Sequence, residues 1–258
     1  MSCIVSYFRA NIADITTILK MIMLLKASTL LLIPALIIQG NRVKKNTLRL
    51  AEPLGDRQGQ TGSGKPLSIL ILGDSAAAGV GVEHQDDALL GQVVNALQDQ
   101  YQINWRLHAK TGHSTSQVIR SLNDLPNQHF DVVLTSVGVN DVTKLMSADL
   151  WIKKQQKLYV DISIKFSPEL VIAAGVPPMN LFPALPNPLA WLFGQYAKKM
   201  NQKLKKMVNQ TLHMDWIEYD IQTYQALNLE MAEDGFHPSK DVYKLWAEQV
   251  AERIRLKF

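Results

Sequence analysis

The 258 residues carry 27 Lys plus Arg against 23 Asp plus Glu and a single cysteine, Cys3. One cysteine excludes an internal disulfide and is compatible with a reducing or an oxidising compartment. The positive balance does not argue for nucleic acid, because residues 67–258 hold 18 Lys plus Arg against 20 Asp plus Glu and the excess lies wholly in the first 66 residues.

Residues 1–39 read as an apolar leader. Met21 to Ile38 is mostly apolar but holds Lys26, and its uninterrupted part, Ala27 to Ile38, is 12 residues long. That length is nearer a signal-peptide core than a full span, yet no small-x-small cleavage site follows. An uncleaved interfacial anchor and an export signal both fit. Arg42, Lys44, Lys45 and Arg49 follow the apolar run and only Arg9 and Lys20 precede it. By the positive-inside tendency this holds the following domain in the cytoplasm, whereas an export signal places it outside. The expectation is a membrane-associated or exported protein. Residues 40–66 lack apolar periodicity and read as a flexible basic tether for which anionic lipid is the natural partner. Thr61-Gly62-Ser63-Gly64-Lys65 lacks the spacing of a phosphate-binding loop and precedes a strand rather than following one.

From Leu67 onward, strands and helices alternate as one domain to residue 258. Leu67 to Leu72 has the length and branched apolar content of a buried parallel strand, ended by Gly73. Leu89, Leu90, Val93, Val94 and Leu97 recur at helical spacing, predicting a helix whose positive end approaches Ser75. Ile103, Trp105 and Leu107 alternate as a strand, and Phe130 to Val137 is a further buried run. Then come a helix around Ala148 to Phe166, a strand at Leu170 to Ala174, and a basic helix from about Leu189 to Asn209. A short strand around Met214 to Tyr219 and a final helix from about Ser239 to Leu256 complete the chain. This alternation predicts an α/β fold with a mostly parallel five-stranded sheet between two helical layers.

Four segments carry chemistry. Ser75 follows Gly73-Asp74 at a strand-to-helix turn, and a serine there needs a base to take its proton. His237 is the candidate base, and Asp234, three residues earlier in a Gly- and Pro-containing turn, is placed to hold its tautomer. The chain order Ser, Asp, His matches that of α/β-hydrolases, but Gly73-Asp74-Ser75-Ala76-Ala77 lacks the second glycine of their nucleophile elbow. Asn140, in Gly138-Val139-Asn140-Asp141, projects from a strand's carboxyl end, where open sheets place their ligands. Gly112, in Lys110-Thr111-Gly112-His113-Ser114-Thr115, offers a backbone N–H at the same edge, and together these supply oxyanion donors. Singly, each block also reads as an ordinary turn or helix cap. His113 reads as a loop residue, and His84, His108, His129 and His213 lack metal-ligand spacing. The proline-rich run Val176 to Pro188 places Met179, Leu181 and Phe182, with Leu185 and Trp191, either along an acyl pocket or folded onto the domain.

In order, the four blocks resemble those of the SGNH hydrolases, also called GDSL esterases and lipases, over residues 67–258. The resemblance implies a flavodoxin-like α/β/α sandwich and a serine hydrolase of carboxylic esters working through an acyl-enzyme. It implies no metal or organic cofactor. Ser75, Asp234 and His237 become the catalytic residues, and Ser75, Gly112 and Asn140 the oxyanion donors. The first block departs from the family pattern in having Ala76 where leucine is usual. Expected substrates are small-molecule or lipid esters, short-to-medium acyl esters or lysophospholipid, with O-acetylated carbohydrate and thioesters as rivals. Acyl transfer to an alcohol, and a noncatalytic membrane-tethered binding module, are the further alternatives.

Overall fold

In the computed structural model the described residues are 33–219 and 221–258. Most of the apolar leader, with Cys3 and Lys26, lies outside them. The first described element is helical over 33–46 (α1). Strands follow at Gln58–Thr61 (β1), Lys65–Gly73 (β2), Tyr101–Ala109 (β3), Val132–Ser136 (β4), Leu170–Ala174 (β5) and Met214–Ile217 (β6). The helices after α1 are Ser75–Ala78 (α2), Leu89–Leu97 (α3), Thr115–Ser121 (α4), Val139–Thr143 (α5), Ala148–Phe166 (α6), Leu189–Val208 (α7), Ile221–Ala226 (α8) and Lys240–Lys257 (α9).

The apolar run of β2 shows why the sheet is buried on both faces. Successive side chains of a strand point to opposite sides, so Ile69 and Ile71 enter one core while Leu70 and Leu72 enter the other. The Ile69 face packs on α3 and α9, with Leu89, Val93, Tyr243 and Trp246 buried there. The Leu70 face packs beneath α4, α6 and α7, with Trp151, Ile162 and Leu192. The result is the three-layer sandwich expected from the alternation.

Six strands run in the order β1-β3-β2-β4-β5-β6, all pairs parallel except β1 with β3. The register pairs Gly73 with Ala109 on one side and with Ser136 on the other. The chain therefore leaves β2, β3 and β4 at one level, and the loops carrying Ser75, Gly112 and Asn140 open from one sheet edge.

Two expectations are corrected. The helix at Ser75 is not α3 but the four-residue α2, capped by the Asp74 carboxylate, and α3 begins only at Leu89. The helical spacing was read correctly, but no periodicity marks so short an intervening turn. The predicted tether over 40–66 is not free in its second half. Its Gln58–Thr61 forms the sixth strand, antiparallel on the edge of β3, and Leu54 exchanges backbone hydrogen bonds with Glu83 and Gln85 at 2.9 and 2.8 Å. That strand is polar and pairs through its backbone, so no hydrophobic pattern announced it. Earlier, Leu36 of α1 is buried, and the Gln39 amide donates to the Asn187 carbonyl (2.7 Å) and accepts from Leu189 N (3.2 Å).

Gly73 is required by close approach rather than by its dihedrals. A Cβ at that position lies 2.0 Å from the Ser136 carbonyl and 2.7 Å from Ala77 Cβ. Gly73→Ala must push β2 from β4 or α2, and we expect a loss of about 1–3 kcal/mol, the range for overpacked interiors. Urea denaturation measures it; an unchanged midpoint defeats the close-packing argument.

Candidate active site

Asp74 sets the turn that carries Ser75. Its carboxylate accepts from Ala76 N at 3.2 Å while its amide donates to Ser136 O at 3.0 Å, tying the turn both forward into α2 and sideways to β4. Ser75 is then the first residue of α2, where backbone N–H groups have no intrahelical acceptor.

The second half of the site comes from 162 residues further along the chain. His237 Nε2 lies 2.9 Å from Ser75 Oγ, and His237 Nδ1 lies 2.5 Å from Asp234 Oδ2. Asp234 Oδ1 also accepts from the Phe236 and His237 amides, each at 2.9 Å, so one carboxylate closes the turn and orients the ring. The turn is pinned from outside by a Met231–Pro238 bridge, by Ala232 N donating to His237 O and by Ala184 N donating to Gly235 O. The Asp234 side chain is 1% exposed and that of His237 17%. Burial pushes the Asp234 carboxyl upward. The hydrogen bonds from the His237 ring and the two amides, with the imidazole charge, outweigh it and hold the group below the usual carboxylate value. Asp234 is thereby kept ionised beside the ring.

The structure also joins the Gly112 and Asn140 loops. Gly112 sits in an exposed turn after β3 at φ 82°, a left-handed conformation that favours glycine. Asn140 Nδ2 donates to the carbonyl of His113, the residue following Gly112, at 3.0 Å. Asp141 continues the connection: it is fully buried and accepts from Thr115 N (2.9 Å) and Thr115 Oγ1 (2.7 Å). Trp151 Nε1 and Gln155 Nε2 each donate to the same Thr115 hydroxyl at 3.1 Å. Asp141 thus locks the N-terminus of α4 to the start of α5, a wider task than closing its own turn. Thr115, Trp151 and Gln155 were not singled out in the sequence, since a polar residue inside an amphipathic helix gives no sign of what it meets.

Ser75 and His237 line a cavity of about 870 Å³. Its walls are largely apolar: Pro177, Pro178, Leu181, Phe182 and Pro183 from the proline-rich loop, with Tyr219, Tyr224, Leu229, Met231 and Phe236 from the segments after β6. Phe182 meets Phe236 edge to face at 5.0 Å and Phe236 meets His237 at 5.5 Å, so the aromatic wall runs up to the imidazole. Of the expected pocket residues, Leu181 and Phe182 line the cavity. Met179 does not; it is fully buried in the core, because the single 3-10 turn Met179–Leu181, with about three residues per turn, directs Met179 inward and leaves Asn180 and Leu181 exposed. Tyr219, Leu229 and Met231 escaped the sequence reading because residues 219–232 carry no periodic pattern. His113 borders a separate polar hollow with Glu52, Arg57, His108 and Lys110.

Among the described residues, the group of side chains able to share a metal is His129, Asp131 and Glu169. It lies beside the start of β4 and β5, at the sheet edge opposite Ser75.

Asp74 is 2% exposed, and burial raises its carboxyl from 3.8 to about 7, against the lowering effects of the Ala76 amide and the His237 charge. The folded state therefore keeps a proton that the unfolded chain has released. The associated stability is fully present below about pH 4 and declines as pH rises to about 7. Asp74→Asn keeps the oxygen acceptor but cannot ionise, so its urea midpoint should gain on the parent's between about pH 4 and 7. Parallel profiles for the two proteins count against this account.

A family model described as the GDSL-like Lipase/Acylhydrolase family matches residues 71–245. The fold is shared with a lipolytic G-D-S-L family protein of Veillonella parvula DSM 2008 (TM-score 0.60, 16% identity, 74% of this chain and 100% of that chain). It is also shared with the psychrotrophic esterase EstA of Pseudoalteromonas sp., solved in a form inhibited by monoethylphosphonate (0.56, 19%, 73% and 97%). A third similar structure is Est24, a carbohydrate acetylesterase of Sinorhizobium meliloti (0.55, 16%, 74% and 100%). No curated protein sequence matches the chain. The family match spans the serine turn, the Gly112 and Asn140 loops and the histidine turn alike, and the chain belongs to the GDSL-like lipase/acylhydrolase family of carboxylic ester hydrolases.

Proposed function

We propose that the protein hydrolyses carboxylic esters through an acyl-enzyme formed on Ser75. The observation that carries this reading is the continuous hydrogen-bonded line from Ser75 Oγ through His237 to Asp234, opening on an apolar cavity. His237 Nε2 takes the hydroxyl proton as Ser75 Oγ attacks the ester carbonyl. The Ser75 and Gly112 amides and the Asn140 side chain face the oxyanion. The imidazolium, held by Asp234, returns the proton to the departing alcohol as the carbon–oxygen bond breaks. Water then gives a proton to His237, attacks the acyl carbon and releases the acid, and the proton returns to Ser75.

Short-to-medium acyl esters and lysophospholipid fit the site best. A cavity of about 870 Å³ walled by Leu181, Phe182, Leu229, Met231 and Phe236 has room and apolar surface beyond what an acetyl group occupies. A purely noncatalytic binding role leaves the alignment of Asp234, His237 and Ser75 without a purpose.

We assign the apolar leader and α1 to attachment at a lipid surface. Among the described residues no helix is long and apolar enough to cross a membrane. Ile37 and Ile38 are 58% and 68% exposed, and Arg42, Lys44, Lys45 and Arg49 follow. An interfacial helix combines these features. Gln39 joins this helix to Asn187 and Leu189, beside the exposed Trp191 and the loop that forms one cavity wall, so attachment brings the cavity toward the surface.

With nitrophenyl esters of graded acyl length, Ser75→Ala and His237→Ala in the full chain should each lower kcat by about 10^3-fold or more. Turnover retained in both refutes the assignment. Leu181→Asp, on a half-exposed cavity wall, should selectively impair the longer esters; equal loss on acetyl esters removes the acyl-pocket role. Sedimentation with vesicles containing anionic lipid tests attachment: binding should weaken in high salt and when Ile37 and Ile38 are both replaced by Asp.

A further inference from the structure

The loop carrying Gly112 is exposed at Lys110, Thr111 and Gly112, although an oxyanion donor must be held still to be effective. Its inner side is secured by Asn140 and Asp141, as described. Its outer side is secured by a segment that lies outside the family match altogether. Glu52 Oε1 accepts from both the amide and the hydroxyl of Thr111, each at 2.7 Å. Glu52 Oε2 pairs with Arg57 Nη1 at 2.7 Å, and Arg57 Nη2 donates to the Ala109 carbonyl. Leu107 N donates to the Arg57 carbonyl at 2.7 Å, after which β1 runs antiparallel to β3. Residues 52–61 thus follow β3 along its edge and clamp its exit at Ala109 and Thr111.

We infer that Glu52 is a positioning residue for the oxyanion site, acting through Thr111 on the orientation of the Gly112 N–H. The bidentate grip fixes the Thr111 backbone and its side-chain rotamer together, and the next peptide unit is the one that presents Gly112. Arg57 orients the carboxylate, which is why the carboxylate and not merely an acceptor suits the position. The two bonds to Thr111 are charge-assisted and so stronger than neutral ones. The Glu52 side chain is 29% exposed, so its loss opens no cavity in the core. The inference rests on the proposed role of Gly112.

The test compares Glu52→Ala, Glu52→Gln and Thr111→Val with Ser75→Ala in the full-length protein, using nitrophenyl acetate. Each is also titrated with an aryl boronic acid, which forms a tetrahedral anion on the serine. Glu52→Ala should lower kcat by about 10-fold with KM within about twofold, and weaken the boronic acid by the same factor as kcat/KM. Glu52→Gln keeps the acceptor oxygen but turns its amide NH2 toward Arg57, so it should recover only part of the loss, and Thr111→Val, which keeps only the amide, should also fall between. Thermal midpoints separate positioning from folding: the kcat loss should persist well below the transition, where every variant is folded. Should Glu52→Ala not fold, the Thr111→Val and Glu52→Gln comparison decides alone. The proposal is overturned if kcat stays within twofold of the parent in both Glu52→Ala and Thr111→Val, or if kcat falls while boronic acid affinity does not. Activity surviving in Ser75→Ala instead overturns the reading of the site itself, before Glu52 is at issue.

Discussion

Gly73 pairs with Ala109 and with Ser136 in adjacent parallel ladders, and the loops carrying Ser75, Gly112 and Asn140 take their height from that alignment. Parallel strands ending at one level aim their exits at one edge, so the loops carrying residues 75, 112 and 140 open there without being near in sequence. The alignment needs β2 and β4 to approach more closely than any side chain on residue 73 allows. Glycine there is a consequence of packing as much as of turn chemistry, and the turn that carries Ser75 begins where that packing ends.

Around this edge, two buried carboxylates hold loops together and a third orients the His237 ring. Asp74 fixes the serine turn at the cost of sitting where its charge is poorly solvated. Asp141 fastens α4 to α5 and so links the Gly112 loop to the Asn140 loop. Asp234 spends one oxygen on backbone amides and the other on the His237 ring, so the turn geometry and the imidazole orientation are a single constraint. The same aromatic contacts that pack Phe182 on Phe236 carry the cavity wall to the histidine. Packing and polar anchoring are continuous here, with Phe236 in contact with both Phe182 of the proline-rich loop and the His237 imidazole.

The strands and long helices were legible from pattern because burial on both faces demands continuous apolar runs such as Ile69 to Leu72, and amphipathic packing demands the spacing of Leu89 to Leu97. The site blocks were legible because their chemistry needs particular residue types beside glycines: Ser75 after Gly73, His237 three residues beyond Asp234, Asn140 near Gly138. Their order along the chain did the rest.

What the sequence by itself determined is the α/β class, the order of the main elements, and which serine, histidine and aspartate can act together, since each depends on local composition and spacing. What only the tertiary structure decided is how distant segments meet. Hydrogen bonding by a polar edge strand follows no hydrophobic pattern, so Gln58–Thr61 reads as tether until β3 is beside it. Likewise Met179 and Leu181, two residues apart and similarly apolar, part company because the backbone's turn sends one into the core and leaves the other on the cavity wall. The grip of Glu52 on Thr111 spans 59 positions, a separation across which local sequence carries no information and only the folded sheet brings donor to acceptor.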